Sequence, residues 1–364
     1  MFNFGELVTA VQNNCHISDA RHAGDFTLCI YLLKMRELYR WEHELPLADR
    51  LPTSEVGNWL QEREHLWDGM ESRPFQPLPI GDSRHDPFDS TGVNRELVPQ
   101  GYVYSAGYGR LNKPHFFLAH LARHEQRGGY TVYVSSCEYA RDLEAPPAML
   151  QGRSIFVRQE SVRRFLWEKI EERHWNRGNL ALNRALDAYG FDSPGTPPRP
   201  ALDDALDTMT GTETESMILH ELGEGLAGEA LGPDWEAMLA GLSRSRTEII
   251  TRAIRDLLAD CLSTLPMLVD RGQPAPLHFY FANFSGMRRH LFPEAVSAYR
   301  TWVAEGDSRV LSRLATDGAT RWLDVAREIL NLHHRLGSEA ASAIEALVAP
   351  ASSSRDTCTD GARP

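Results

Sequence analysis

Apolar and polar positions along the chain follow a helical pattern over most of its length. Apolar residues recur three and four positions apart, the spacing that places them on one face of an α-helix. The segment 26–42 is apolar nearly all round, so we expect a central, buried helix there. In full, we predict helices over residues 4–13, 26–42, 54–67, 160–175, 179–189, 201–209, 214–230, 234–242, 247–265, 287–304, 308–316, 319–335 and 338–348.

The only β-like part lies in the N-terminal half. Aromatic and β-branched residues predict strands over 101–108, 131–135 and 154–158. Between the first two we predict a helix over 115–127, and residues 72–92, rich in Pro, Asp and Gly, are predicted to form an irregular loop. The predicted fold class is therefore mainly α (α+β), a helical protein with a small β element in its N-terminal half.

One segment marks the predicted domain boundary. The string SPGTPPRP at 193–200 has the composition of a linker. It separates an α/β-containing region, 1–192, from a helical region, 201–350, and we expect the two to pack as one functional unit. Residues 351–364 are polar and poor in apolar side chains, which predicts a disordered tail.

Composition narrows the class of partner. The chain of 364 residues has 38 Lys and Arg against 50 Asp and Glu, a net charge of −12, which argues against nucleic-acid binding. Its five cysteines are odd in number and form no CxxC pair, so we expect neither a zinc ribbon nor a disulfide framework. No apolar run approaches the roughly 20 residues that span a bilayer. The N-terminus also lacks a signal-peptide pattern, so we expect a cytoplasmic protein without membrane partners.

The candidate chemistry centres on the stretch TESMILHELGEGLAG, residues 214–228. Its His220 and Glu224 are four apart and share one helix face. Its Gly223, Gly225 and Gly228 each lower helix propensity by roughly 1 kcal/mol relative to Ala. We therefore expect another backbone or a ligand to approach this helix closely.

The helix predicted at 247–265 carries a second polar face. Its Glu248, Arg252, Asp256 and Asp260 form a ladder four residues apart, with Arg255 beside it and Pro266 at its end. If this ladder faces the first stretch, four side chains converge on one point. Such a mixed set suits Fe, Mn or Zn. The predicted metal ligands are His220, Glu224, Asp256 and Asp260.

Three further residues are candidates for catalysis in such a site. His278, in the aromatic string LHFYFANF, is predicted to act as a ligand or proton shuttle, or else to be a hydrogen-bonded core residue. Arg252 or Arg255 would orient a carboxylate or bind an anionic substrate. The zinc-protease spacing is absent, because Glu224 stands where a protease has its second His. The Glu-x-x-His spacing of dimetal helical bundles is absent too. The competing interpretation is therefore a packing pair and a solvated salt-bridge ladder.

Two other polar segments allow two interpretations each. NCHISDARHAGD, residues 14–25, offers His16 and His22 as ligands or bases, or simply forms a capped helix start. ARDLEAPPAM, residues 140–149, is stiffened by two prolines and is either a pocket wall or a structural corner.

Several strings taken together resemble a known family. They are NCHISDARHAGDFTLCIYLLKMRE (14–37), EYARDLEAPPAM (138–149), LHELGE (219–224), RAIRDLLADCLSTLP (252–266) and HFYFANFSGMRRHLFP (278–293). They resemble an uncharacterised conserved bacterial protein family, a domain of unknown function, over about residues 14–334. The resemblance implies one functional unit, and it brings no activity, cofactor or catalytic residue.

Two hypotheses of different class follow. One is a metal-dependent enzyme, a hydrolase or non-haem oxidoreductase, that acts on a small or anionic molecule. The alternative is a non-catalytic helical accessory protein that binds a partner. Geometry distinguishes them, because metal ligands must surround one point at roughly 2.0–2.3 Å.

Overall fold

The computed structural model describes residues 3–109, 112–191, 199–242 and 245–349. Within these ranges the α-helices are α1 (Phe4–His22), α2 (Leu28–Glu42), α3 (Thr53–Trp67), α4 (Ser90–Leu97), α5 (Gln159–Trp175), α6 (Leu180–Ala188), α7 (Arg199–Leu231), α8 (Pro233–Gly241), α9 (Arg246–Ala259), α10 (Leu265–Arg271), α11 (Pro274–Ala282), α12 (Gly286–Leu291), α13 (Pro293–Glu305), α14 (Arg309–Leu336) and α15 (Ala340–Val348). A π-helical turn, Asp260–Thr264, joins α9 to α10.

The strands are confined to residues 78–158 of the described chain. They are β1 (Leu78–Ile80), β2 (Ser83–His85), β3 (Tyr102–Tyr108), β4 (Pro114–Arg127), β5 (Tyr130–Arg141), β6 (Ala148–Gln151) and β7 (Ser154–Arg158). The first two form a small hairpin, and the other five form a sheet in the order β3-β4-β5-β7-β6. Only the β5–β7 pair in this sheet is parallel. The predicted class, mainly α with a small β element, is confirmed.

The predicted helix at 115–127 is wrong, because these residues form β4. This strand lies between β3 and β5, and its first six residues are all buried. A strand covered on both faces shows a continuous apolar run instead of the alternation that identifies a half-buried strand. Pairing on both sides decides its conformation here. The loop predicted at 72–92 likewise contains the β1–β2 hairpin.

The expectation of a central, buried helix at 26–42 is also wrong. Helix α2 occupies the segment, but several large apolar side chains on it face solvent. Leu28 is 72% exposed and Leu33 is 56% exposed, and Ile30 and Leu32 are also exposed. Only the C-terminal part, including Met35 and Leu38, is buried in a small cluster with α3.

Helices of the C-terminal half are longer than their sequence suggests. The segments predicted at 201–209 and 214–230 belong to the single 33-residue helix α7, and 308–316 and 319–335 belong to the 28-residue helix α14. Gly318 inside α14 lies against the π-helical turn, where an added Cβ would stand 2.6 Å from Cys261 Sγ. Pro266 does not end the predicted helix, because it sits in the first turn of α10, where no N–H is needed.

The largest hydrophobic core joins both halves of the chain. It runs from β5 and β7 through α5 and α6 to α7, α9, α11 and α14. A second cluster packs α1 and α4 against β3 and β4. Residues 193–198 of the predicted linker and the predicted tail at 351–364 lie outside the described residues. Within the described part, no helix has the length and apolar character needed to cross a membrane.

Candidate functional site

Helix α7 packs closely against α9 and the sheet, and its glycines permit this. A Cβ on Gly223 would lie 2.4 Å from the Ala259 carbonyl oxygen, and one on Gly225 would lie 2.4 Å from the Tyr130 ring. Around Gly228 nothing lies within 4 Å. Close approach is therefore confirmed at the first two glycines and absent at the third.

This packing gathers a group of charged side chains that we call the helical cluster: His220, Glu224, Arg255, Asp256, Asp260, Tyr280 and Arg288. Asp260 is its centre. Its carboxylate accepts hydrogen bonds from His220 Nδ1 at 3.1 Å, Tyr280 Oη at 3.0 Å and Arg288 Nη1 at 2.8 Å. Burial alone would raise the pKa of Asp260, but these donors lower it, so the carboxylate is ionised.

His220 joins Asp260 to Glu224 within the cluster. Its Nε2 lies 3.5 Å from Glu224 Oε1, and Arg255 Nη2 donates to Glu224 Oε2 at 3.1 Å. Burial would lower the pKa of His220, but hydrogen bonding to the two carboxylates raises it well above its usual value. Burial likewise opposes the ionisation of Glu224, yet His220 and Arg255 lower its pKa to about 2. The imidazolium therefore holds its protons on both nitrogens.

Asp256, a predicted metal ligand, and Arg252, a predicted catalytic residue, lie at the edge of the helical cluster. Asp256 has a raised pKa, caused first by burial and then by the charge of Glu224. Arg252 donates to Glu248 Oε1 at 2.8 Å, as the predicted ladder requires. Both Asp256 and Arg252 line a cavity of about 860 Å³ together with Asp25 and Arg288.

These contacts fit a hydrogen-bonded ionic network better than a metal centre. Metal binding needs a neutral imidazole with a free lone pair, whereas both ring nitrogens of His220 lie within 3.5 Å of a carboxylate oxygen. Three donors already engage Asp260. Among the described residues, no group of three or more His, Cys, Asp and Glu side chains has an arrangement that could hold a metal ion.

The structure places His278 apart from the helical cluster. Its Nδ1 lies 2.9 Å from Tyr299 Oη, and its ring packs on Trp302 with centroids 4.9 Å apart. Helix α11 contributes Tyr280 to the cluster instead. Residues two apart on a helix differ in direction by about 200°, so both cannot face the same neighbour.

A cleft of about 1010 Å³ lies beside the helical cluster, between the two halves of the chain. We call it the central cleft. Its N-terminal wall includes Gly109, His115 and Glu144, and its C-terminal wall includes Glu221, Glu224, Arg252 and Arg255. Arg252 lines this cleft as well as the smaller cavity beside Asp256, so the two spaces meet at its side chain.

His115 and Asp142 form a buried pair on the N-terminal wall. His115 is 4% exposed, and its Nδ1 lies 3.2 Å from Asp142 Oδ1. Burial would raise the pKa of Asp142, but His115 and Lys113 hold it well below its usual value. The ionised carboxylate therefore accepts the hydrogen bond that Nδ1 of His115 donates. Nε2 lies toward Gly109 and Glu144, with Glu144 Oε2 at 3.7 Å.

The loop that carries Asp142 is held in a strained, fixed shape. Backbone N–H groups of Glu144 and Ala145 donate to Asp142 Oδ1 at 2.9 and 3.0 Å. Ala145 has φ +43°, a left-handed value that costs energy for a residue with a Cβ. Such strain is most frequent at functional sites. Since Glu144 and Pro146 line the central cleft, the segment 140–149 is both a structural corner and a pocket wall.

Residues 14–25 support this loop from behind. Asp19, fully buried in α1, accepts from Lys113 Nζ at 2.9 Å and from the Leu143 backbone N–H at 2.9 Å. His16 contacts Arg63 and Trp67 instead of a polar cavity. The segment therefore positions the His115–Asp142 pair, and its end at Asp25 reaches the cavity beside Asp256.

Glu221 lies one turn of α7 before Glu224, and its pKa is shifted in the opposite direction. It is 8% exposed and lines the central cleft. Burial, followed by the charge of Glu224, raises the pKa of Glu221 to about 8. One cleft thus holds a carboxylic acid that is protonated near neutral pH beside a carboxylate that is ionised. Pairs of groups with pKa values pushed apart are typical of acid–base catalysis.

Sequence reasoning missed His115, Glu221 and Tyr280. His115 was missed because its segment was predicted to be a helix, and only the strand β4 places it beside the 140–149 loop. Glu221 sits inside the LHELGE string, but its role depends on burial that the string does not reveal. Arg288 pairs with the buried Asp260, a contact that no local pattern in the sequence indicates.

Comparison with known proteins gives a family and no activity. Residues 6–158 match the N-terminal domain of a family of unknown function, DUF6866, and residues 163–351 match its C-terminal domain. The two matches meet at the junction of β7 and α5. No curated protein and no solved structure matches the chain. Because the two matches cover most of its length, the chain belongs to the DUF6866 family of unknown function.

Proposed function

We propose that this protein is an enzyme that performs acid–base chemistry on a small polar molecule in the central cleft, most simply a hydrolysis. The observation that carries the proposal is the buried His115–Asp142 pair, whose Nε2 lies on the cleft side of the ring. A carboxylate bound to Nδ1 fixes the tautomer and stabilises the imidazolium that forms when Nε2 takes a proton. His115 is the general base of the proposed reaction.

Glu221 supplies the complementary acid. With a pKa of about 8 it holds a proton at neutral pH and can give it to a leaving group. In the proposed step, Nε2 of His115 removes a proton from water, the resulting hydroxide attacks the substrate, and Glu221 protonates the departing oxygen or nitrogen. Protons and charge balance within the cleft.

The lining of the cleft indicates the class of substrate. Among the described residues that line it, five glutamates stand against three arginines. This balance disfavours a polyanion such as nucleic acid. Arg255 is engaged by Glu224 and Glu236. Arg252 pairs with Glu248, is 41% exposed and lies where the cleft meets the neighbouring cavity. Arg252 is the proposed contact for one anionic group on an otherwise polar substrate.

The test is a hydrolysis screen with matched histidine variants. Probes are p-nitrophenyl esters, phosphate esters and glycosides, assayed with the full chain, His115→Gln and the control His120→Gln. His120 lies on the same strand but is exposed. A general base contributes about 10²- to 10⁴-fold, so the activity should fall by that factor in His115→Gln only. An activity that persists in folded His115→Gln protein would refute the proposed role.

The second candidate is the non-catalytic accessory protein. Exposed Leu28, Ile30, Leu32 and Leu33 on α2 favour it, since large apolar side chains clustered at a surface are typical of protein contacts. Light scattering of the full chain and of a Leu32→Asp, Leu33→Asp variant tests this. A larger particle that becomes smaller in the variant, with no turnover in the screen, would favour binding over catalysis.

A further inference from the structure

A third cavity, of about 620 Å³, adjoins the 140–149 loop at Arg141. We call it the arginine cavity. It is formed by the C-terminal end of α2 and the chain after it, the end of β5 and the start of α5. Trp41, Leu45 and Leu47 give it an apolar side, and Arg141 and Arg164 give it a cationic one.

Arg141 is buried without a matching acceptor. It is 1% exposed, and its Nε has no hydrogen-bond partner among the described residues. The nearest carboxylate oxygen, Oε2 of Glu138, is 3.8 Å away, too far for a hydrogen bond. Glu138 is already engaged by Arg158, which donates two hydrogen bonds, and by Ser161. A buried guanidinium with an unsatisfied N–H is costly unless something binds it.

Arg164 repeats the feature in the same cavity. It is 8% exposed, and its Nε is also buried without a partner. Its Nη1 donates to Glu168 Oε1 at 3.2 Å and its Nη2 to the Ala145 carbonyl at 3.1 Å, which fixes the guanidinium in place. Each of two guanidinium groups thus has one N–H without an acceptor among the described residues, and both side chains line the same cavity. Guanidinium groups are the donors that most often recognise carboxylates and other anions.

The rest of the lining selects among anions. The Trp41 ring lies 5.3 Å from Arg141 Cζ, so an apolar surface adjoins the cation. Six acidic residues also line the cavity, and negative charge there would repel a dianion such as phosphate more strongly than a monoanion. They are Glu37, Glu42, Glu44, Glu138, Glu160 and Asp203. We propose that the arginine cavity binds a small organic monocarboxylate, whose carboxylate pairs with Arg141 and whose apolar body lies against Trp41 and Leu47.

Two cysteines that are exposed in the described part of the chain provide a direct assay on the unmodified protein. Cys137 lines the arginine cavity, while Cys29 lies on α2 and serves as the internal control. The full chain is alkylated with N-ethylmaleimide, and the rate at each cysteine is read from its peptide by mass spectrometry. The probes are phenylacetate, hexanoate, the neutral isostere phenylacetamide and inorganic phosphate.

Occupancy should slow alkylation of Cys137 by about threefold or more at saturation, with Cys29 unchanged. Phenylacetate or hexanoate should protect, and phenylacetamide and phosphate should not. Equal protection by phenylacetamide, protection by phosphate, or no protection by either carboxylate at about 20 mM would overturn the proposal, since that limit corresponds to negligible affinity.

Variants separate the two halves of the site. Arg141→Gln keeps hydrogen-bonding capacity but removes the charge, and it should raise the half-protecting concentration of phenylacetate about tenfold or more. Arg84→Gln, at an exposed position on β2, is the matched control and should leave it unchanged. Because Arg141→Gln risks misfolding, Trp41→Leu provides the second test, and it should weaken phenylacetate more than hexanoate. Unchanged protection in both folded variants would overturn the assignment.

Discussion

His220 Nδ1 and Asp260 Oδ1 lie 3.1 Å apart and join two helices of the C-terminal half. The bond links the middle of α7 to the first residue of the π-helical turn after α9. A π-helical turn inserts an extra residue into a helix and redirects the side chains beside it, and such turns are frequent at functional sites. Here the turn points Asp260 at three donors, so its charge is compensated inside the protein.

The first prediction concerns metal content. Because His220 is protonated and Asp260 is engaged by three donors, we expect far less than one equivalent of Fe, Mn or Zn per chain, even after reconstitution. Elemental analysis of the untagged protein measures this, alongside His220→Ala and Asp256→Ala. About one equivalent in the parent, lost in both folded variants, would instead support the metal centre formed by His220, Glu224, Asp256 and Asp260.

The second prediction concerns the glycines of α7. Gly223→Ala should lower the free energy of unfolding by about 2 kcal/mol or more, because the new Cβ would overlap the Ala259 carbonyl of α9. Gly228→Ala is the control, since open space surrounds it and Ala favours a helix by up to about 1 kcal/mol. Denaturant titration measures both. Equal effects at the two positions would contradict the close packing of α7 on α9.

Much of the helical fold could be predicted because each helix must bury one face, so its apolar residues recur at helical spacing. The wrong predictions concern segments whose conformation or exposure depends on the elements packed against them. The sequence of β4 does not distinguish a strand from a helix, because both faces of the strand are covered. The sequence of α2 indicates a buried helix, because nothing local shows that its apolar residues are exposed. The glycine argument succeeded at Gly223, beside the Ala259 carbonyl, and at Gly225, beside the Tyr130 ring, and it failed at Gly228, where nothing approaches.

The candidate site was predictable only in part. The sequence spacing brought His220, Glu224 and Asp260 together, since residues four apart share a face and the two helices pack. It could not give their protonation, which depends on Arg255, Arg288 and burial. Nor could it pair His115 with Asp142, because that contact joins the start of β4 to the loop after β5, and no local pattern fixes the register of these two strands.

A third prediction concerns Glu213, a buried carboxyl on α7 outside the proposed chemistry. It is 2% exposed, accepts a hydrogen bond from Tyr189 Oη at 2.5 Å, and has a pKa raised by burial to about 8. Below about pH 4.3 it is protonated in both the folded and unfolded states. At higher pH the unfolded state releases its proton first, so stability falls as pH rises until the folded carboxyl ionises near pH 8.

Glu213→Gln should remove this loss, because glutamine mimics the neutral acid and cannot ionise. We expect the variant to be more stable than the parent by a few kcal/mol at pH 8 and nearly equal to it at pH 5. Thermal unfolding at a series of pH values measures the difference. Glu305→Gln, at an exposed site on α13, should leave the curve unchanged. Parallel curves for Glu213→Gln and the parent would show that the carboxyl is ionised in the fold.

The last prediction concerns the pH dependence of the proposed reaction. A general acid acts only while protonated, and the pKa of Glu221 is raised to about 8. Any hydrolytic activity in the central cleft should therefore hold up to about pH 8 and fall above it. In Glu221→Gln the rate at pH 7 should drop by about 10²-fold or more, because glutamine has no proton to transfer.

The shape of the pH profile distinguishes this role from a structural one. If Glu221 only supports the fold, its glutamine variant should lose activity in proportion to lost folded protein and keep the alkaline limb. If it is the acid, the residual activity of folded Glu221→Gln should lose the limb near pH 8, while Glu305→Gln retains both rate and profile. Leaving groups that need no protonation, such as p-nitrophenolate, should depend less on Glu221 than alkyl leaving groups do, because the acid then contributes little to the transition state. Equal dependence on Glu221 for both kinds of leaving group would leave His115 as the only acid–base group of the cleft.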